Sequence, residues 1–86
     1  MRFRVLWIPK AQAQLIALFL RAAEREKLVQ LIEELDRRLQ VAPQSLGESR
    51  ANRRERVYFT KPFVVFFRIN RTKKQVTVLR LGWIGF

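Results

Sequence analysis

The sequence contains no cysteine and no histidine, and these two absences exclude several kinds of site. Without cysteine the 86-residue chain has no disulfide bond and no thiolate metal site, so packing must stabilise its fold. Without histidine it lacks the side chain that most often transfers protons near neutral pH, and also the commonest metal ligand. We therefore expect no metal site and no cofactor.

Glycine and proline are scarce, with three of each, while 49% of the residues are hydrophobic and 12% are aromatic. This composition is too apolar for a disordered chain and predicts a single folded domain over residues 1–86. The apolar run near the N-terminus, Val5 to Ile8, ends at Pro9. It is too short for a signal peptide, and a membrane span needs about 20 apolar residues, so we predict a cytoplasmic protein.

Acidic residues are also few, and the resulting charge imbalance is the strongest global feature of the chain. Eighteen basic residues stand against seven acidic ones, which gives a formal net charge of +11. Residues 48–86 carry ten basic and two acidic side chains (10 − 2 = +8), whereas residues 1–47 carry eight and five (8 − 5 = +3). Such a field attracts nucleic acid, anionic membranes or acidic proteins, and its distribution predicts a binding face in the second half.

Hydrophobic periodicity predicts an α+β fold. The opening segment alternates basic and apolar residues, as in a strand, and Pro9 suits the first turn of a helix. The second helix has the clearest pattern, with apolar residues every three or four positions. These are Leu28, Ile32, Leu35 and Leu39. The predicted elements are a strand at 2–8, a helix at 9–23, a second helix from residue 28 to near Pro43, and strands at 54–59, 63–69 and 75–81.

The order of these elements is strand, helix, helix, strand, strand, strand. Two helices joined so closely should form an antiparallel hairpin, and the last three strands should form an antiparallel meander. We expect the helices to pack on one face of the sheet. The nearly continuous apolar run at 63–69 predicts a central strand covered on both faces, and residues 48–53 are predicted as a basic loop.

This order, at this length, resembles the RelE/ParE toxin superfamily of bacterial type II toxin-antitoxin systems. The likeness spans almost the whole chain and is carried by an element pattern rather than by a fixed motif. The segments that carry it are Trp7 to Ala11, Leu39 to Pro43, Gly47 to Val57, Pro62 to Ile69 and Val76 to Gly82. The resemblance implies a toxin held inactive by an antitoxin whose extended or helical segment wraps its surface.

The resemblance also implies candidate site residues. RNA-cleaving members of the RelE branch act on ribosome-bound messenger RNA without a metal, and their basic pair on the second strand is matched by Arg54 and Arg56. We predict these two residues as catalytic, together with Lys61, which lies close to Val64, the position at which those members carry an arginine. The predicted RNA-binding residues are Arg50, Arg53, Arg71, Lys73 and Lys74.

Metal-free RNA cleavage needs a base, an acid and fixed cations that neutralise the phosphate. Arginine suits only the last task, because its planar fork binds phosphate while its pKa stays above about 12. The candidate bases are Glu48, Glu55 and Lys61, and the candidate acid is Tyr58. The glutamates equally suit salt bridges with neighbouring arginines, and the arginines equally suit a solvated strand face.

Three functions stay open. The leading hypothesis is a RelE-like toxin that acts on ribosome-bound messenger RNA as a metal-independent endoribonuclease and is neutralised by an acidic antitoxin. The second is a ParE-like, non-enzymatic inhibitor of DNA gyrase, which the absence of histidine favours. The end of the chain, Trp83 to Phe86, also favours it, since further catalytic residues would follow Gly82 in an enzyme. The third is a catalytically inactive nucleic-acid-binding relative.

Overall fold

A computed structural model describes residues 2–49 and 55–85, in which two helices pack against one face of a sheet. The described elements, in chain order, are β1 (Arg4–Trp7), α1 (Pro9–Arg21), α2 (Arg25–Val41), a 3₁₀ turn (Pro43–Ser45), β2 (Glu48–Ser49), β3 (Glu55–Thr60), β4 (Phe63–Asn70) and β5 (Gln75–Trp83). The predicted α+β class and element order are confirmed.

The five described strands form a single sheet in the order β1-β5-β4-β3-β2. Strands β3, β4 and β5 pair antiparallel with their neighbours, so the predicted meander is confirmed. The first strand, β1, pairs parallel with the last one, β5. Two parallel strands cannot be joined by a tight hairpin, and residues 8–74 connect these two.

One segment differs from the sequence prediction. Glu48 and Ser49 were predicted within a loop, and their backbone instead forms β2, which pairs antiparallel with Val57 and Arg56 of β3. The outer edge of β3 has unpaired N–H and C=O groups, and two residues of the neighbouring loop are enough to satisfy some of them. Hydrophobic periodicity cannot predict so short a strand.

The core lies between the helices and one face of the sheet. On β4, Phe63, Val65 and Phe67 are buried, while the residues between them are more exposed. The helices contribute Ala11, Leu28, Leu35 and Leu39 to the same buried cluster, and Ile32 packs against it partly buried, so all four apolar positions predicted on α2 face the core. The prediction that β4 is covered on both faces is wrong, because the described helices cover only the face that carries Phe63.

A glutamine side chain joins α1 to the irregular part of the sheet. The β4–β5 register shifts between Phe66 and Phe67, and beside this shift the Leu81 N–H donates a hydrogen bond to Gln14 Oε1 at 2.8 Å. Leu81 is itself buried, so its N–H has little access to water. Gln14 therefore satisfies a backbone group that the distorted ladder leaves open.

A Gln14→Met variant is expected to lose about 1–2 kcal/mol of unfolding free energy, because the Leu81 N–H loses its acceptor while the helix keeps a good helix former. Urea denaturation measures the loss. The matched control is Gln12→Met on the same helix, whose side chain is exposed and which should stay within about 0.5 kcal/mol of the parent protein. Equal losses in the two variants would contradict this role for Gln14.

Neither helix in the described part of the chain combines the length and the apolar character that a membrane crossing requires.

Candidate functional site

The guanidinium group of Arg56, a predicted catalytic residue, contacts the backbone of the loop that precedes β2. Its Nε donates to the carbonyl oxygen of Leu46 and its Nη2 to that of Gly47, each at 2.9 Å. Arg56 lies opposite the buried Phe67 in the sheet register, so its side chain starts from the face that the helices cover. Its predicted companion Arg54 lies outside the described residues.

Gly47 makes this contact possible. Its φ is +65°, and a Cβ built on it would lie 2.1 Å from the carbonyl oxygen of Val57. Only a residue without a side chain can both adopt this backbone conformation easily and approach β3 so closely. The Gly47 carbonyl then accepts the second hydrogen bond of Arg56. These contacts give Arg56 a structural role in holding the loop against β3.

The remaining predicted catalytic residue, Lys61, lies in the turn between β3 and β4 and is exposed. Val64 lies near Lys61 and is the position at which RNA-cleaving members of the superfamily carry an arginine. It pairs with Phe59 and Gly82 on the sheet face that the helices leave free. Arg56 starts from the opposite face. Among the described residues, Arg56 and the Val64 position therefore do not share a pocket.

The candidate acid, Tyr58, is attached to α2. Arg38 Nη1 donates to the Tyr58 hydroxyl oxygen at 2.9 Å, and Arg38 Nη2 donates to Glu34 Oε1 at 2.8 Å. The hydrogen bond to Tyr58, followed by the charges of Tyr58 and Glu34, raises the pKa of Arg38 above its ordinary value. Arg38 consequently remains charged at every physiological pH, and Tyr58 serves as a contact between β3 and α2.

The predicted RNA-binding residues Arg71, Lys73 and Lys74 lie in the turn between β4 and β5, and all three are exposed. The Lys73 N–H donates to Asn70 Oδ1 at 3.0 Å, and the Lys74 Nζ lies 5.4 Å from the centre of the Phe3 ring. This turn and the turn with Lys61 are at opposite ends of β4, whose length is roughly 25 Å. Arg50 and Arg53 lie outside the described residues.

A second surface, which sequence reasoning missed, is the sheet face opposite the helices. We call it the uncovered face. Its position follows from alternation along each strand, because neighbours of buried residues point the other way. Its described residues include Arg4, Leu6, Val57, Phe59, Val64, Phe66, Arg68 and Arg80. The signal was present in the alternation of β4 and β5, but the apolar run concealed it.

Trp83, at the end of β5, is partly packed and partly exposed. Its ring makes an edge-to-face contact with Phe63, with centroids 6.1 Å apart, and its side chain is still 46% exposed. Trp83 therefore packs on the core and presents part of its ring to solvent. Phe86 lies outside the described residues.

The arrangement suits binding better than proton transfer. Arg56 and the candidate acid Tyr58 start from the same face of β3 but donate to or accept from different partners within the fold. Of the candidate bases, Glu48 and Glu55 lie on the opposite face, and Lys61 lies in the turn between β3 and β4. Within the ranges that the structure describes, no group of three or more acidic side chains could hold a metal ion. What the described residues do provide is a basic surface with exposed apolar and aromatic side chains.

Comparison with known proteins gives one family. A family model described as the ParE toxin of the type II toxin-antitoxin system parDE matches residues 5–82. Among curated proteins, no match was found.

Three solved structures resemble the chain. The RelBE2 toxin-antitoxin complex from Mycobacterium tuberculosis has a TM-score of 0.79 at 18% identity, over 96% of this chain and 92% of that one. A chain of the chromosomal ParDE system from P. aeruginosa has a TM-score of 0.69 at 24% identity, over 95% of this chain and 96% of that one. A conserved hypothetical protein from Helicobacter pylori has a TM-score of 0.61 at 14% identity, over 94% of this chain and 93% of that one. These likenesses support the fold.

Proposed function

Since the chain belongs to the ParE toxin family of type II toxin-antitoxin systems, we propose that it arrests growth by binding DNA gyrase and not by cutting RNA. The observation that carries this proposal is the separation of the candidate catalytic groups. Arg56 and Tyr58 lie on the face of β3 opposite to the Val64 position, each bound to a partner within the fold, and Lys61 lies in the turn between β3 and β4.

The contacts of Arg56 support this proposal further. A phosphate clamp needs guanidinium N–H groups that point toward the substrate. In this protein Arg56 directs its Nε and Nη2 to the carbonyls of Leu46 and Gly47. A bidentate phosphate contact through Nε and Nη2 would have to displace both hydrogen bonds. Val64 offers no charge as a replacement.

We propose an acidic antitoxin as the second partner. Membership of a type II system implies a protein antitoxin, and a net charge of +11 favours an acidic one. The solved relatives from M. tuberculosis and P. aeruginosa are toxin-antitoxin systems. Electrostatic attraction would speed the encounter, and apolar contacts would then determine how slowly the complex dissociates.

The test uses purified toxin in two assays run in parallel. In the first, DNA gyrase supercoils a relaxed plasmid, and we expect the toxin to inhibit supercoiling in a concentration-dependent way. In the second, ribosomes translate a defined messenger RNA, and we expect full-length transcript and continued protein synthesis. Cleaved transcript together with unaffected gyrase would contradict the proposal and favour the RelE-like endoribonuclease. No effect in either assay, or on growth, would favour the inactive nucleic-acid-binding relative.

A further inference from the structure

The uncovered face is unusually apolar for a sheet surface that faces solvent. In an antiparallel sheet with one face exposed to solvent, apolar residues that face the core normally alternate along each strand with polar residues that face water. Here Phe59 is 66% exposed and Leu6 is 41% exposed, and Val57, Val64 and Phe66 lie on the same face. An exposed cluster of this kind indicates a surface on which another molecule docks.

Arg80 provides a fixed cation within this apolar face. Its guanidinium carbon lies 4.1 Å from the centre of the Phe66 ring, which is a stacked cation–π contact. Stacking holds the planar group in one orientation, so that less rotational freedom is lost when it binds a ligand. Among the described residues, no carboxylate lies within ion-pair distance of Arg80 or of Arg68. The edge of the guanidinium is thus available to an external acceptor.

The strand register places apolar side chains next to this cation. Phe66 pairs with Arg80, and one step further along β4, on the same face, Val64 pairs with Gly82 on one side and Phe59 on the other. Gly82 has no side chain, and a Cβ there would approach Val64 Cγ1 to 2.8 Å. The Val64 side chain therefore lies over the backbone of β5 and, with Phe59, forms an apolar patch beside Arg80.

Charge indicates what this site binds. Arg4, Arg68 and Arg80 lie on β1, β4 and β5 of the uncovered face, and these three strands carry no acidic residue; the described acidic side chains of this face, Glu48 and Glu55, lie on β2 and β3. We infer that Arg80, stacked on Phe66, anchors a carboxylate of the acidic antitoxin, while Val64 and Phe59 receive an apolar side chain from the same segment. This inference rests on the antitoxin partner put forward above. It does not depend on whether the toxin acts on gyrase or on RNA.

A protein carboxylate explains the site better than a nucleic-acid base does. Stacking with a base needs the open face of an aromatic ring, and Arg80 lies against the Phe66 ring. A carboxylate, in contrast, accepts two parallel N–H donors from the edge of a guanidinium. The apolar neighbours would exclude water from such a pair and strengthen it.

The test measures the affinity of the folded toxin for the antitoxin encoded in its own operon, by isothermal titration calorimetry. An Arg80→Glu variant is expected to bind roughly 30-fold more weakly or worse, because the anchor is lost and two like charges face each other. Lys10→Glu makes the same change in net charge on the exposed surface of α1, and we expect its affinity to stay within about threefold of the parent. Circular dichroism confirms that both variants fold.

A third variant keeps the test informative if Arg80→Glu does not fold. Arg80→Lys keeps the charge and loses the planar fork, and roughly a fivefold loss of affinity is expected. Unchanged affinity in Arg80→Glu, or equal losses in Arg80→Glu and Lys10→Glu, would overturn the inference. Normal antitoxin binding by an Arg80→Glu toxin that no longer arrests growth would instead assign the uncovered face to the target. Binding of a single-stranded oligonucleotide that Arg80→Glu abolishes, with antitoxin affinity intact, would also overturn it.

Discussion

A Gly47→Ala variant is expected to lose about 3 kcal/mol or more of its unfolding free energy. Two costs contribute to this loss. An alanine at φ +65° is strained, and its Cβ would overlap the Val57 carbonyl oxygen, which is only 2.1 Å away. Because that oxygen belongs to the backbone of β3, no side-chain rotation relieves the overlap. A domain of this size has roughly 4–13 kcal/mol of total stability, so the change removes a large share of it.

Gly85 offers a control that separates the two costs. Its φ is +89°, and a Cβ there would meet nothing within 4 Å in the described residues. Gly85→Ala should therefore lose about 1–2 kcal/mol at most, which is the backbone cost alone. Urea denaturation of both variants gives the comparison. If the two losses are equal, the close approach of Gly47 to β3 does not contribute to stability.

An Arg56→Met variant is expected to lose about 2 kcal/mol of unfolding free energy, because the carbonyls of Leu46 and Gly47 lose a charged donor while much of the apolar stem is replaced. If the role of Arg56 is structural, growth arrest should fall only in proportion to the folded fraction. Urea denaturation and growth curves at matched toxin levels measure the two quantities.

The control for this variant is Arg37→Met. Arg37 is an exposed arginine on α2 whose ion pair with Glu34, at 3.7 Å, is solvated, so the expected loss is within about 0.5 kcal/mol. An Arg56→Met protein with full stability and no growth arrest would contradict the structural role. It would return Arg56 to the catalytic position that the resemblance to RNA-cleaving toxins suggested.

The sequence predicted the fold correctly in the segments where hydrophobic periodicity matches the burial of the side chains. Leu28, Leu35 and Leu39 recur at helical spacing and are buried, and the run from Phe63 onward became the centre of the sheet. The β4 prediction was incomplete for a physical reason. A run of apolar residues forms a strand with two buried faces only if other elements cover both faces of the sheet. In this protein Phe66 lies on the uncovered face, where the stacked Arg80 partly shields its ring from solvent.

The site was harder to predict than the fold. Alternation in β3 puts Arg56 and Tyr58 on one face and Val57 and Phe59 on the other. Alternation alone did not show that the face with Arg56 points toward the helices. That orientation depends on the pairing of Arg56 with Phe67 and on the loop whose backbone carbonyl accepts its hydrogen bond. Hydrogen-bond partners of this kind lie far away in sequence or belong to the backbone, where residue type carries little signal.

The separation of Lys61 from the turn with Arg71 is a matter of topology. Successive turns of an antiparallel meander lie at opposite ends of the strands, so two basic turns that flank β4 cannot form one site unless other elements bridge them. Clustering in sequence was therefore a poor guide to clustering in space. The described arginines of the uncovered face, Arg4, Arg68 and Arg80, are dispersed in the sequence and share one face because β1, β4 and β5 are neighbours.

The parallel pairing of β1 with β5 has a consequence for synthesis of the toxin. β5 is the last of the described strands to be translated, and it lies between β1 and β4. A nascent chain that still holds β5 inside the ribosome has no partner for β1 and exposes one edge of β4. The surface that Arg80 and Gly82 help to form comes into existence only after this strand emerges. A growing polypeptide thus cannot bind a partner through that surface while β5 is still inside the ribosome.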